Sequence, residues 1–266
     1  MLWLGLFASV VLAGENSVQP AEAEAYILGV FPHLPPRELE RVYAPIAADL
    51  GKAVGRPVLF RSSTSYERFM EVLDSQAFDI VFVQPFDYVH LADKYGYLPL
   101  ATRNEPLETV FVVKQDSSID SVADLKGKTI ALPPDVAAVS HLAIGHLRQL
   151  GMQPGKDVTI AYFRSHVSCM QQVIIGTADA CGTAGPALRF FQHKMGVKLK
   201  QIGVSRSIPH TLFAVNPRVP EADRQRLLKA IVSWADSKAG RAMLKRGKLS
   251  SFVPISDQAY DVVRNF

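Results

Sequence analysis

Four side chains in one stretch have the types and spacing for chemistry. In FRSHVSCMQQVIIGTADACGTAGPAL, His166, Cys169 and Met170 stand at i, i+3 and i+4, and Cys181 follows beyond a short apolar run. On a helix the first three share a face. An imidazole, a thiolate and a thioether together suit a soft ion such as Cu(I), or a thiophilic metalloid such as arsenite. The plainer reading is an apolar helix face, the ordinary use of Met and Cys. The two cysteines are the only ones in the chain; in an exported protein they can pair, or they can stay as buried thiols. The GTADACGTAG segment that follows reads as a Gly-marked helix end, a buried strand and a loop of small residues that admits something close to the backbone.

Catalysis finds no motif. The chain has no Gly-x-Ser-x-Gly elbow, no phosphate-binding P-loop and no HExxH. Cys169 beside His166 lacks an orienting third group, so the chain reads as a binding protein, not an enzyme, and no cofactor is implied.

The elements that must position these residues alternate between strand and helix. YILGVF, RPVLFRS, FDIVFVQP and LPLATR read as strands, with LERVYAPIAADLGKAVG, YERFMEVLDSQ and FDYVHLADKYG as helices between them. The alternation resumes after the long strand ETVFVVKQ, with TIAL, AAVSHLAIGHLRQLG, DVTIAYF, the His166 helix, TADACG and PALRFFQHKMG. Such spacing signifies βαβ units and mostly parallel sheets. The fold class is therefore α/β, in two halves. The chain is expected to leave the first lobe near Val113 and to return near Pro209. That gives lobe 1 as residues 26–113 plus 209–266, lobe 2 as 114–208, and a two-segment hinge.

With 266 residues, 48% apolar and 20% charged, the chain can bury a full core. A net charge of +4 without a basic run gives no support for nucleic-acid binding and fits a small anionic ligand. Residues 1–25 open on the short apolar MLWLGLFASVVLAG, which reads as a secretory leader, atypical in having no Lys or Arg before the apolar run. The expected location is the periplasm.

The order of segments resembles the periplasmic solute-binding proteins of ABC importers for phosphate, phosphite and phosphonate. The resemblance is carried by TSYERFMEVLDSQAFDIVFVQPFDYV, by DSSIDSVADLKGKTIAL after the crossing strand, and by RSH followed by GTADA. It implies a two-lobed clamshell that captures a small oxyanion between its lobes and delivers it to an ABC permease. It also implies that Tyr66 and His166 stand at ligand-contacting positions. A second reading is a periplasmic sensor that reports ligand to a membrane histidine kinase, with the His166, Cys169, Met170 and Cys181 set as an arsenite or soft-metal site. Gln84, at the carboxyl end of FDIVFVQP, lies where open α/β sheets bind ligands. Ser140, His141 and Arg164 complete the candidate ligand set. The family's hydroxyl-rich turn appears here as PPDVAAVSHLA, in which Ser140 alone remains to donate. Acidic positions used by aminophosphonate binders fall on Gly185 or Pro186 and around His210, which argues against an amino-bearing ligand.

Overall fold

The computed structural model describes residues 24–266, so the leader lies outside the described residues except for its last two positions. The first sheet begins with β1 (Tyr26–Val30), β2 (Val58–Arg61), β3 (Ile80–Val83) and β4 (Leu98–Arg103). Helices α1 (Pro36–Val54), α2 (Tyr66–Asp74) and α3 (Pro85–Tyr95) connect them. The second sheet is built from β5 (Val110–Lys114), β6 (Thr129–Leu132), β7 (Thr159–Tyr162), β8 (Ala180–Thr183) and β9 (Leu199–Val204). Its helices are α4 (Ala138–Gln149), α5 (His166–Ile175) and α6 (Gly185–Met195). The chain then returns to the first sheet through β10 (Leu212–Val215), α7 (Glu221–Ser233), α8 (Lys238–Gly247), β11 (Phe252–Pro254) and α9 (Asp261–Arg264).

Strand order is β11-β4-β10-β3-β1-β2 in one sheet and β7-β6-β8-β5-β9 in the other. Both sheets are mixed. The strand that follows each crossing, β5 or β10, pairs antiparallel with both of its neighbours. Each crossing delivers the chain to the edge of the new lobe at which the βα strands end, so the next strand has to run against them. This places the first crossing earlier than the expected position near Val113. β5 pairs with β8 and β9, so the whole of ETVFVV belongs to the second lobe or its approach. An apolar strand reads alike in either sheet, which is why sequence put this stretch in the first.

The two crossing segments pair with each other. Leu107 and Ile208 exchange backbone hydrogen bonds of 2.8 and 2.9 Å. The Ser205 N–H donates to the Thr109 carbonyl at 2.8 Å, and the Thr109 N–H donates to Ser205 Oγ at 2.9 Å.

Each sheet is packed on both faces, as the continuous apolar strands require. On one face of the first sheet, Leu39, Val42, Tyr43, Ile46 and Leu50 of α1 join Phe82, Phe213 and Trp234. On the other face, Phe69, Tyr88 and Leu91 form a cluster that continues through Leu107 and Ile208 to Ala138, Val139 and Leu142 of α4. The core is thus continuous from one lobe into the other beside the crossing. In the second lobe, Cys169, Met170 and Val173 of α5 pack over Cys181 and Ala131.

Candidate functional site

The carboxyl ends of β3 and β6 meet across the cleft between the lobes, where Gln84 bonds to the start of α4; such an edge is where open α/β sheets bind ligands. From lobe 1, Tyr66 opens α2 behind its cap Ser65, whose Oγ accepts from the Arg68 N–H at 3.2 Å. Gln84 follows β3 directly and opens α3. The Tyr66 hydroxyl donates to Oδ1 of Asp87, and the Gln84 side-chain amide reaches the same hydroxyl at 3.4 Å. Asp87 is buried. Desolvation raises its pKa to about 6, against the lowering effect of the Tyr66 hydroxyl and the Gln84 N–H.

Gln84 also crosses the cleft. Its Nε2 donates to the Val136 carbonyl at 2.9 Å, and its Oε1 accepts from the Ala138 N–H at 2.9 Å. The structure therefore joins Tyr66, Asp87 and Gln84 of lobe 1 to the start of α4 in lobe 2 as one hydrogen-bonded chain.

Ser140 is only 1% exposed, and its hydroxyl donates back to the Pro133 carbonyl at 3.2 Å. It secures the loop before α4, so its proton already has an acceptor within the protein. His141 packs against Phe86 across the lobes, the rings tilted by 41° with centroids 4.9 Å apart. Arg164 is exposed on the loop before α5 and makes no hydrogen bond or ion pair among the described residues.

His166 is the first residue of α5. The helix cap, Ser165, is satisfied by Ser168, whose N–H donates to Ser165 Oγ at 3.1 Å. His166 Nδ1 lies 2.9 Å from the Thr183 hydroxyl at the end of β8. Desolvation lowers its pKa to about 4, so the ring is neutral at ordinary pH. A second neutral imidazole sits at the lobe 1 edge. His210, just before β10, accepts the Thr211 N–H on Nδ1 at 2.7 Å, which puts its proton on Nε2. Burial, and then the nearby Arg103 guanidinium, lower its pKa to about 3. Neutral rings that can donate a hydrogen bond suit an oxyanion, and a bound anion would favour protonating them.

The soft-metal reading does not survive the structure. Cys169 and Cys181 form a disulfide with Cα atoms 5.8 Å apart, joining α5 to β8. Both cysteines and Met170 are wholly buried in the lobe 2 core. A disulfide sulfur is not a thiolate ligand, and the described residues contain no group of three His, Cys, Asp or Glu arranged to hold a metal ion. The expected set of His166, Cys169, Met170 and Cys181 therefore divides: the imidazole lies at the cleft edge, and the sulfurs lie in the core.

Sequence reasoning missed Asp87 and Thr183. Asp87 lies three residues after Gln84 at a helix start, a position that reads as an ordinary cap. Thr183 stands in a run of small residues, GTAG, and carries no pattern of its own.

Comparison with known proteins bears on what this cleft is for. A family model described as ABC transporter, phosphonate, periplasmic substrate-binding protein matches residues 28–260, across both lobes and both crossings. The chain belongs to that family. Phosphonate-family binding proteins supply substrate to ABC transporters and are not enzymes. Neither the family nor the similar structures support the sensor alternative. The fold is that of PhnD1 from Prochlorococcus marinus in complex with methylphosphonate, at a TM-score of 0.76 and 15% identity over 91% of this chain and 96% of that one. A Xanthomonas citri protein bound to ATP superposes at a TM-score of 0.75 and 16% identity, over 91% and 94% of the two chains. The aliphatic sulphonate binding protein SsuA of Escherichia coli follows at 0.62 and 14%, over 91% and 92%. Among the described residues no helix is long and apolar enough to cross a membrane.

Proposed function

We propose that this phosphonate-family protein captures a small phosphorus oxyanion without an amino group in the cleft between its lobes and presents the liganded form to an ABC permease. One observation carries the reading: the family match runs over residues 28–260 and so includes both lobes and the hinge that relates them. The site chemistry supports it. Neutral His166 and His210 stand at the cleft edges of opposite lobes. The positions where an ammonium partner is expected hold Gly185, Pro186 and His210, none of them acidic. Similar folds bind methylphosphonate in one case and ATP in another, so phosphorus oxyanions are chemistry this architecture accepts.

Binding couples to closure through differential affinity: a ligand touching both lobes stabilises the closed arrangement by its contacts to the second lobe. The protein works in the periplasm, and export through residues 1–25 belongs to this proposal. The test is a thermal-shift series on the secreted protein with methylphosphonate, phosphite, phosphate and 2-aminoethylphosphonate. A ligand that binds the folded state raises the midpoint with its saturation. Methylphosphonate or an inorganic phosphorus oxyanion is expected to raise it, and the amino compound to do so least. A flat response to all four sinks the reading.

A further inference from the structure

The first N–H groups of a helix have no partner within it, and they are where an anion or a cap goes. At α4 the leading ones are already taken from within the chain, although the Val139 N–H, next along, has no partner among the described residues. Pro133 and Pro134 have no N–H to offer. The Val136 N–H donates to the Asp135 carboxylate at 2.9 Å, and the Ala137 N–H to the Pro134 carbonyl at 2.9 Å. The Ala138 N–H, the first of the helix proper, is held at 2.9 Å by Gln84 Oε1 from the other lobe. The same carboxamide donates to the Val136 carbonyl at 2.9 Å, so both of its ends are engaged on α4. Gln84 is itself buried, at 8% exposure. A carboxamide fits here better than an anion would, because the Asp135 carboxylate stands at the same helix start and would repel a second negative charge.

We propose that Gln84 is a built-in occupant of the α4 start, a latch that holds the two lobes together without ligand and withdraws the first N–H of this helix, that of Ala138, from anion recognition. The oxyanion is then held by the rest of the cleft edge, where His166, Thr183 and the α2 start stand. Phe86, two residues along, packs against His141 of α4, so the latch sits in a seam with apolar support on its far side. The inference does not depend on which anion binds, since its test is made on ligand-free protein.

The test combines solution scattering with amide exchange on ligand-free wild type, Gln84→Ala and Gln84→Met. Methionine keeps the length and volume of the side chain but can form neither cross-lobe hydrogen bond. Losing two neutral hydrogen bonds should lower the ratio of closed to open molecules by about tenfold or more. Both variants are therefore expected to show a larger radius of gyration than wild type. Their Ala138 amide should exchange at least about tenfold faster. In wild type that amide is expected to be protected although it is the first of its helix. An unprotected Ala138 amide in ligand-free wild type overturns the proposal whether or not the variants fold. So does a Gln84→Met protein that scatters as wild type does, because the seam would then be held by packing alone.

Discussion

The disulfide between Cys169 and Cys181 allows the most quantitative prediction. The two cysteines are 12 residues apart in sequence, and they tie α5 to β8 with Cα atoms 5.8 Å apart. A cross-link over a loop of that size restricts the unfolded chain by about 3 kcal/mol in the chain-entropy account. Both side chains are fully buried and lie in an apolar cluster with Val112, Ala131 and Val173. The double replacement Cys169→Ala and Cys181→Ala therefore removes the bond without stranding a polar atom. For a chain of this size, 1 kcal/mol corresponds to roughly 2–4 °C in midpoint, so the double variant should melt about 6–12 °C below wild type. Calorimetry of oxidised wild type against the double variant measures the difference. Thiol labelling should find no reactive cysteine in native wild type and two after reduction in denaturant. A double variant melting within about 2 °C of oxidised wild type would refute the reasoning. The same bond fixes α5, and with it His166, against the strand that ends in Thr183. Anion affinity should accordingly fall in the double variant at temperatures where it remains folded.

Other expectations follow from single contacts. Tyr66→Phe leaves buried Asp87 without its hydroxyl donor and should cost roughly 1–3 kcal/mol in denaturant unfolding; an unchanged midpoint would show that Asp87 is satisfied otherwise. His166 and His210 have pKa values lowered to about 4 and about 3 in the folded protein. The unfolded state therefore takes up protons that the folded state refuses. Stability from these two rings is complete above the ordinary histidine pKa of about 6.5 and declines as pH falls from there towards 4. Asp87, raised to about 6, acts in the opposite sense, losing stability as pH rises from about 4 towards 6. His166→Gln should flatten the histidine part of this profile, and Asp87→Asn should steepen the net fall on acidification. At Gly240 an added Cβ would overlap the Trp234 carbonyl oxygen, so Gly240→Ala should lose at least about 2 kcal/mol, whereas an unchanged melt would mean that the α8 start can shift freely.

Much of the architecture was legible because strands and helices alternate with clear periodicity and Gly or Pro punctuation. Gly55 and Gly96, for example, end α1 and α3 in the left-handed conformation that glycine tolerates. The crossing was misplaced because hydrophobicity marks β5 as a buried strand without saying which sheet buries it. Whether Cys169 and Cys181 pair depends on α5 lying across β8, a tertiary fact that spacing alone does not contain. The site divides in the same way. Gln84 was legible as a cleft residue from its place at the end of β3, but its partner on α4 lies 54 positions away and in the other lobe. Ser140 looked free to donate because sequence does not reveal that its hydroxyl turns back to Pro133. Tyr66 was found by resemblance. Asp87, which accepts its hydrogen bond, was hidden at a position where any helix start favours an acidic residue.

The central claim is capture of a phosphorus oxyanion at a cleft edge marked by His166. The most direct measurement is calorimetric titration of wild type and His166→Ala with methylphosphonate at pH 7. Saturable binding of one ligand per chain is expected, at least about fivefold weaker in the variant for the loss of one hydrogen bond. Absence of binding to wild type at millimolar methylphosphonate, phosphite and phosphate, or equal affinity in wild type and variant, would contradict it.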